Sequence, residues 1–371
     1  MTATADVTDV EAVVRRDAAL LEGDLAEFLG SLTLPGSSVR AAALRRALYE
    51  PVAEAVGSKV GQEALPPVAG GHQAPLRPSM VYWAYRNYRG FPGGDEAEAS
   101  SADLAAIRRA AVAVRVLLKA AVALDDIQDG SAVRYGEPAL HVGQGVPVAL
   151  NTGCWLITAA LRHAADPAVV DSLLEAVGEG FTGQALDLST RSADTRAELT
   201  AAPHVDRVAF WEETAAHKTG TLFWMPLHAA LAALRVVEDE QRTLDEAMRQ
   251  LGLASQLFND LTDFLPEFGG ARTHEDYDGL GNRVVLELLD APEGAELTAE
   301  DLKSYVLGHP KLEATLLTLS AEAVALKHAA KEAVHGVCRS DRSAEYFDVT
   351  IERKGHLIDR LHETVRRRSG V

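Results

Sequence analysis

Apolar residues recur along this chain at spacings of three and four, while the strict alternation of a half-buried strand is nearly absent. The pattern predicts amphipathic helices over 8–30 and 38–57, a short helix over 76–86 and a long one over 102–129. Further helices are predicted over 145–164, 167–192, 204–235, 238–264, 283–290, 299–307, 310–337 and 342–368. Stretches rich in helix breakers interrupt the pattern at 61–75, 89–100 and 269–281. No repeat, low-complexity tract or separating linker breaks the series. The expectation is one all-α domain over 1–371, a large helical bundle.

Two of these helices end in acid. The first carries Leu124-Asp125-Asp126-Ile127-Gln128-Asp129, and the second, about 130 residues later, Gln256-Leu257-Phe258-Asn259-Asp260-Leu261-Thr262-Asp263-Phe264. Residues four apart share a helix face, so Asp125 lines up with Asp129 and Asn259 with Asp263. Carboxylates that terminate strongly apolar helices are expensive to bury unpaired. A bound cation removes that cost. Two such stripes facing each other across a bundle would offer oxygen ligands to hard divalent cations, Mg²⁺ above all.

Composition narrows the reading. A net charge of −18 argues against a general nucleic-acid or anionic-membrane binder. An anionic ligand must then be held locally, by a few basic side chains and metal ions. Cys154 and Cys338 are too few for a disulfide framework and fit a reducing cytoplasm. The N-terminal stretch lacks the apolar core of a signal peptide, and no apolar run is long enough to span a membrane, so a soluble cytoplasmic protein is expected. Trp83, Trp155, Trp211 and Trp224 are expected mostly in the core, although one or two could face a cation through their π faces.

Over roughly 65–290 the chain resembles the trans-isoprenyl diphosphate synthases, the polyprenyl synthetase family. The resemblance rests on an ordered set. Gly70-Gly71 with Leu76-Arg77-Pro78 comes first, then the first acidic stretch, Arg134-Tyr135-Gly136-Glu137-Pro138 with His141, and Asn151-Thr152-Gly153. Gly183-Gln184 with Asp187 follows, then Lys218-Thr219, then Gln256 and the second acidic stretch. The resemblance implies the all-α fold of the class I isoprenoid synthases, a homodimer, and three Mg²⁺ ions that help to ionise an allylic prenyl diphosphate. It implies Asp125, Asp126 and Asp129 as metal ligands on one side and Asn259, Asp260 and Asp263 on the other. Arg134, Lys218, Thr219 and Gln256 fall where the family contacts the allylic diphosphate, and Arg272 and Arg283 where it usually has lysines. In this fold the prenyl tail runs alongside the helix bearing the first motif. Ala120 and Ala121, one turn below it, would therefore leave room for a C20 or longer chain, with C15 still possible.

Departures from the family give the reading its direction. The family's G-G-K-R-L-R-P becomes Gly70-Gly71-His72-Gln73-Ala74-Pro75-Leu76-Arg77-Pro78, which keeps Arg77 and lacks the lysine. Its R-R-G becomes Arg134-Tyr135-Gly136, and its histidine ahead of the first motif becomes Leu118. Each lost charge-assisted hydrogen bond is worth about 1.5–3 kcal/mol, so isopentenyl diphosphate should bind poorly. The second motif stands between the family's aspartates and the N-D-x-x-S/T-x-x-x-E of terpene cyclases. That makes Glu267 a further ligand candidate, one turn beyond Asp263, with Pro266 interrupting the helix between them. The expectation is an enzyme that ionises one allylic diphosphate and steers the cation without isopentenyl diphosphate, most simply as a cyclase. Prenyl transfer to a non-standard acceptor and ordinary chain elongation are the alternatives, and a catalytically dead partner subunit is a third.

Overall fold

The computed structural model describes residues 9–32, 36–57, 76–90, 102–134, 137–236, 240–268, 277, 279–289 and 299–370. Among these the chain is α-helical, apart from a two-residue antiparallel pairing of Val133–Arg134 with Glu137–Pro138. The expected all-α class is what forms. The segment from Gly70 to Pro75, Tyr135-Gly136 and Arg272 lie outside the described residues.

The residues divide between two compact units, and the chain passes between them several times. The first unit draws on Met1–Leu174, Met225–Val237 and Cys338–Arg353, and the second on Glu175–Trp224, Glu238–Val337 and Lys354–Val371. Each is described by itself.

The first unit is built on the helix Ala102–Gln128, which buries every residue from Ala110 to Ala120. Its run of Ala and Val fits that burial with small side chains, and the same stretch also buries two charged residues, Arg115 and Lys119. The helix Val146–Ala164 packs along it. A Cβ at Gly153 would lie 2.8 Å from the Leu124 side chain, so glycine permits this close crossing. A buried polar knot ties three further helices together. Arg86 donates from Nη2 to Asp17 at 2.5 Å, and the Tyr346 hydroxyl donates to the same carboxylate at 3.0 Å. Burial pushes the Asp17 carboxyl above its ordinary range, while the Arg86 bond and charge pull the other way. Removing either partner would strand a buried charge.

The second unit packs the helix Gln241–Thr262 along Leu312–Val337. Its core gathers Leu253, Leu257 and Leu261 from the first of these with Val284, Val285, Leu302, Val306, Leu316 and Leu319. The predicted helix over 204–235 is instead His204–Ala215, a π turn Ala216–Gly220, and Thr221–Leu234.

Candidate active site

The first acidic stretch sits where the Ala102–Gln128 helix runs out. Asp129 N–H still bonds to the Asp125 carbonyl at 2.8 Å, which keeps the two carboxylates one turn apart, and Gly130 at φ +71° then ends the helix. Asp125 and Asp129 are partly exposed, while Asp126 is buried. Arg134, on the short hairpin that follows, reaches back over both neighbours. Its Nε donates to Asp126 Oδ1 at 2.5 Å and its Nη2 to Asp125 Oδ2 at 2.7 Å. The planar guanidinium makes the two bonds from two different nitrogens held in a rigid fork, a geometry that a lysine ammonium does not offer. Asp126 thus anchors Arg134 from inside, and Asp125 and Asp129 remain the members of the set that a ligand can reach.

Ala120 and Ala121 separate in the structure. Ala120 is fully buried, and its carbonyl lies 3.5 Å from the position a Cβ on Gly153 would take, so it serves the helix crossing. Ala121 is exposed. Arg77 opens the helix Leu76–Tyr88 and is half-buried.

In the second unit, Lys218 and Thr219 lie on the π turn Ala216–Gly220. The turn is pinched by two glycines. A Cβ on Gly183 would come within 2.2 Å of Lys218 N, and one on Gly252 within 2.4 Å of Gly220 Cα. An inserted residue that bulges a helix often marks a functional position. Here it turns Lys218 Nζ onto Asp187 Oδ2 at 2.6 Å and Thr219 Oγ1 onto Gln256 Oε1 at 2.6 Å.

From Gln256 the network runs into the second acidic stretch. Gln256 Nε2 donates to Asp260 Oδ1 at 2.8 Å. The other oxygen, Asp260 Oδ2, accepts from Trp211 Nε1 and from the Arg283 backbone N–H, both at 2.8 Å. Asp260 is 4% exposed, so a carboxylate expected to hold metal is committed to internal donors. Asn259 is exposed and Asp263 half-buried. Asn282 Nδ2 bridges the Asp260 carbonyl at 3.1 Å and Asp263 Oδ2 at 3.0 Å, while its Oδ1 caps the helix Arg283–Leu288.

Two further expectations need correction. Glu267 does not extend the stripe of Asn259 and Asp263, because the helix ends at Thr262 and Glu267 lies in a separate 3₁₀ turn, Pro266–Phe268. It pairs with Arg368 at 2.6 Å. Proline has no N–H to continue the helical ladder, which accounts for the break. Arg283 is no open anion contact either. It is buried, stacks over Trp211 with 5.4 Å from Cζ to the ring centroid, and pairs with Glu287 at 2.7 Å.

Among the described residues no three His, Cys, Asp or Glu side chains are gathered into a preformed metal cage. Each acidic stretch is closed instead by its own donors, Arg134 in one unit and Trp211, Gln256 and Asn282 in the other. What stays reachable is Asp125 and Asp129 in the first unit and, in the second, Asn259 and Asp263, each pair offering oxygen donors of the kind that hard divalent cations take. The sequence pointed to Trp211 only as a core or cation-facing aromatic, not as a donor to Asp260, and Asn282 was passed over. Asn282 had a legible signal, a capping residue directly before an apolar run. Trp211 had none beyond its residue type.

Residues 67–276 match the family model described as polyprenyl synthetase. A fusoxypene synthase from Fusarium oxysporum is 31% identical over 160 residues, covering 41% of this chain and 20% of that protein. A prenyl transferase from Penicillium crustosum is 29% identical over 177 residues, covering 46% of this chain and 49% of its own. The chain thus spans from a fifth to about half the length of these curated relatives. The crystal structure of a geranylgeranyl pyrophosphate synthetase from Pyrococcus horikoshii superposes with a TM-score of 0.65 at 20% identity, over 95% of this chain and 98% of that one. At that identity the likeness establishes the fold. No described helix is long and apolar enough to cross a membrane.

Proposed function

We propose, for a chain that belongs to the polyprenyl synthetase family, that it ionises an allylic prenyl diphosphate of C15–C20 or longer with Mg²⁺. In this reading the allylic cation is then steered towards a terpene without addition of isopentenyl diphosphate. The observation that carries the reading is the state of the basic side chains. Arg134 and Lys218 each pair with a carboxylate, Asp125 and Asp187, and these pairs support the reading that both are oriented to receive an anion. The cations of the isopentenyl diphosphate half are replaced in the sequence, by Leu118 and Tyr135 among others.

Mg²⁺ supplies Lewis-acid stabilisation of the departing diphosphate. Asp125, Asp129, Asn259 and Asp263 are the residues that would hold it. Arg134 and Lys218 donate charged hydrogen bonds to the diphosphate as its negative charge concentrates, and Thr219 and Gln256 fix the turn from which Lys218 acts. Asp126 keeps Arg134 oriented from within the protein. We further propose that all 371 residues form one catalytic domain and that the protein acts as a homodimer in the cytoplasm.

Chain elongation is the second reading. Its support is the likeness to a protein named as a geranylgeranyl pyrophosphate synthetase and to one named as a prenyl transferase. The likeness to a fusoxypene synthase favours the first. The deciding experiment incubates the protein and Mg²⁺ with C10, C15 and C20 allylic diphosphates, with and without labelled isopentenyl diphosphate. Released diphosphate and extractable hydrocarbon without isopentenyl diphosphate are expected. Efficient formation of a longer linear diphosphate would promote chain elongation in its place.

A further inference from the structure

The second acidic stretch contains neighbours with opposite surroundings. Asn259 is exposed and Asp260 is buried, and one residue of helix turns a side chain by about 100° at 3.6 residues per turn. Whichever way Asp260 is held therefore decides where Asn259 and Asp263 face. Asp260 is held on both oxygens, and one of the donors is an indole from another helix. Trp211, on His204–Ala215, is 2% exposed and donates Nε1–H to Asp260 Oδ2 at 2.8 Å. Its ring also carries the Arg283 guanidinium, whose backbone N–H donates to the same oxygen at 2.8 Å. One aromatic side chain thus supplies a donor to the carboxylate and a platform for the residue that supplies the next.

We propose that Trp211 is the positioning residue of the second acidic stretch, pinning Asp260 inside its unit so that Asn259 and Asp263 are presented outward as ligands. The inference rests on the metal reading above for its consequence, though not for its geometry. It makes Asp260 an internal post whose bonds to Trp211 survive when a cation binds at its neighbours. Through Gln256 and Thr219 the same post is joined to the π turn that carries Lys218.

The test compares the wild-type protein, Trp211→Phe and Trp83→Phe by titrating each with Mn²⁺ in the presence of inorganic diphosphate, read by water-proton relaxation. Trp83 is the control because its buried indole also donates to an internal acceptor, which is a backbone carbonyl, that of Ser343 at 2.9 Å, and not a carboxylate of an acidic stretch. Outer groups that orient metal ligands are worth roughly 10–100-fold in affinity, and Trp211 would orient Asn259 and Asp263 through Asp260. Trp211→Phe should therefore bind Mn²⁺ about tenfold or more weakly, and Trp83→Phe should match the wild type while melting earlier. Wild-type affinity in folded Trp211→Phe, or equal weakening in both variants, overturns the proposal. A wild-type protein that binds no Mn²⁺ overturns the metal reading itself and takes the positioning role with it.

Should Trp211→Phe fail to fold, the wild type still decides. Four tryptophans give four indole N–H signals in a ¹⁵N spectrum. Those of Trp83 and Trp211 should exchange slowly, with Trp83→Phe identifying one of them. Both should stay protected when Mg²⁺ and diphosphate are added. Loss of protection at the second signal would mean that Asp260 leaves Trp211 for the metal, and the proposal would be wrong.

Discussion

Arg134 spans two neighbouring carboxylates of unequal exposure, Asp125 at 27% and Asp126 at 1%, and this difference separates what their substitutions should do. Asp125→Asn removes a reachable ligand with little disturbance of packing. Diphosphate release should fall by about a hundredfold, while stability changes by no more than about 0.5 kcal/mol. Asp126→Asn instead leaves Arg134 with a neutral, buried partner. It should lower stability by roughly 1.5–3 kcal/mol as well as slowing release. Thermal melts alongside a diphosphate-release assay distinguish the two patterns, and undiminished release in folded Asp125→Asn would remove that residue from the metal set. The sequence showed that these acids belonged together, because the spacing of Asp125 and Asp129 is a property of any helix. It did not show which acid was which. Asp260 carries the same side chain as Asp263, yet its role is set by Trp211, 49 positions away, and no local pattern encodes that bond.

At the scale of elements, the period of apolar residues located nearly every long helix, including those that end in the acidic stretches. It could not see the π turn at Ala216–Gly220 inside the predicted helix over 204–235, because one inserted residue leaves composition and near-periodicity intact. The helices Leu140–Gln144 and Ala193–Ala201 were also missed, the first being too short to build a periodic signal and the second burying Leu199 beside the polar Arg196 and Thr200 and so showing no apolar stripe. Ser192 was a readable cap for the second, since its hydroxyl accepts from Thr195 N. The glycines offered a subtler signal. A glycine inside an apolar helix costs roughly 1 kcal/mol against alanine and so asks for a packing reason. At Gly252 the reason is the Gly220 backbone, where an added Cβ would fall 2.4 Å from Cα and neither backbone can yield cheaply. Gly252→Ala should therefore destabilise the protein by about 1–3 kcal/mol despite alanine's better helix propensity. It should also lower turnover, because the displaced turn carries Lys218. A melting temperature equal to or above that of the wild type would show that the turn is not pinched as described.

For the molecule as a whole, the all-α class followed from periodicity alone, whereas the division into two compact units did not, since the chain crosses between them without a linker. The homodimer was only implied by resemblance, and the structure supplies a surface on which to test it. Val146, Leu150 and Cys154 lie four residues apart on one face of the helix Val146–Ala164, and Val146 and Leu150 are each 47% exposed. Val142, 53% exposed, lies four residues before Val146 on the preceding short helix. An apolar stripe of this kind on a chain with a net charge of −18 is where a second copy would gain most from burial, at about 25 cal/mol per Å². Leu150→Glu would set a carboxylate against its own symmetry mate across that face. The wild type should sediment as a dimer at micromolar concentration and the variant as a monomer. Cys154 gives an independent reading from within the stripe. Its thiol should react slowly with a disulfide reagent at pH 8 in the wild type and quickly in Leu150→Glu. Cys338 should contribute no background, because burial and the Asp348 charge push its thiol up to about 12, leaving roughly one molecule in ten thousand as thiolate at that pH. A wild type that sediments as a monomer with Cys154 freely reactive would leave this face to solvent and remove the dimer from the proposed function.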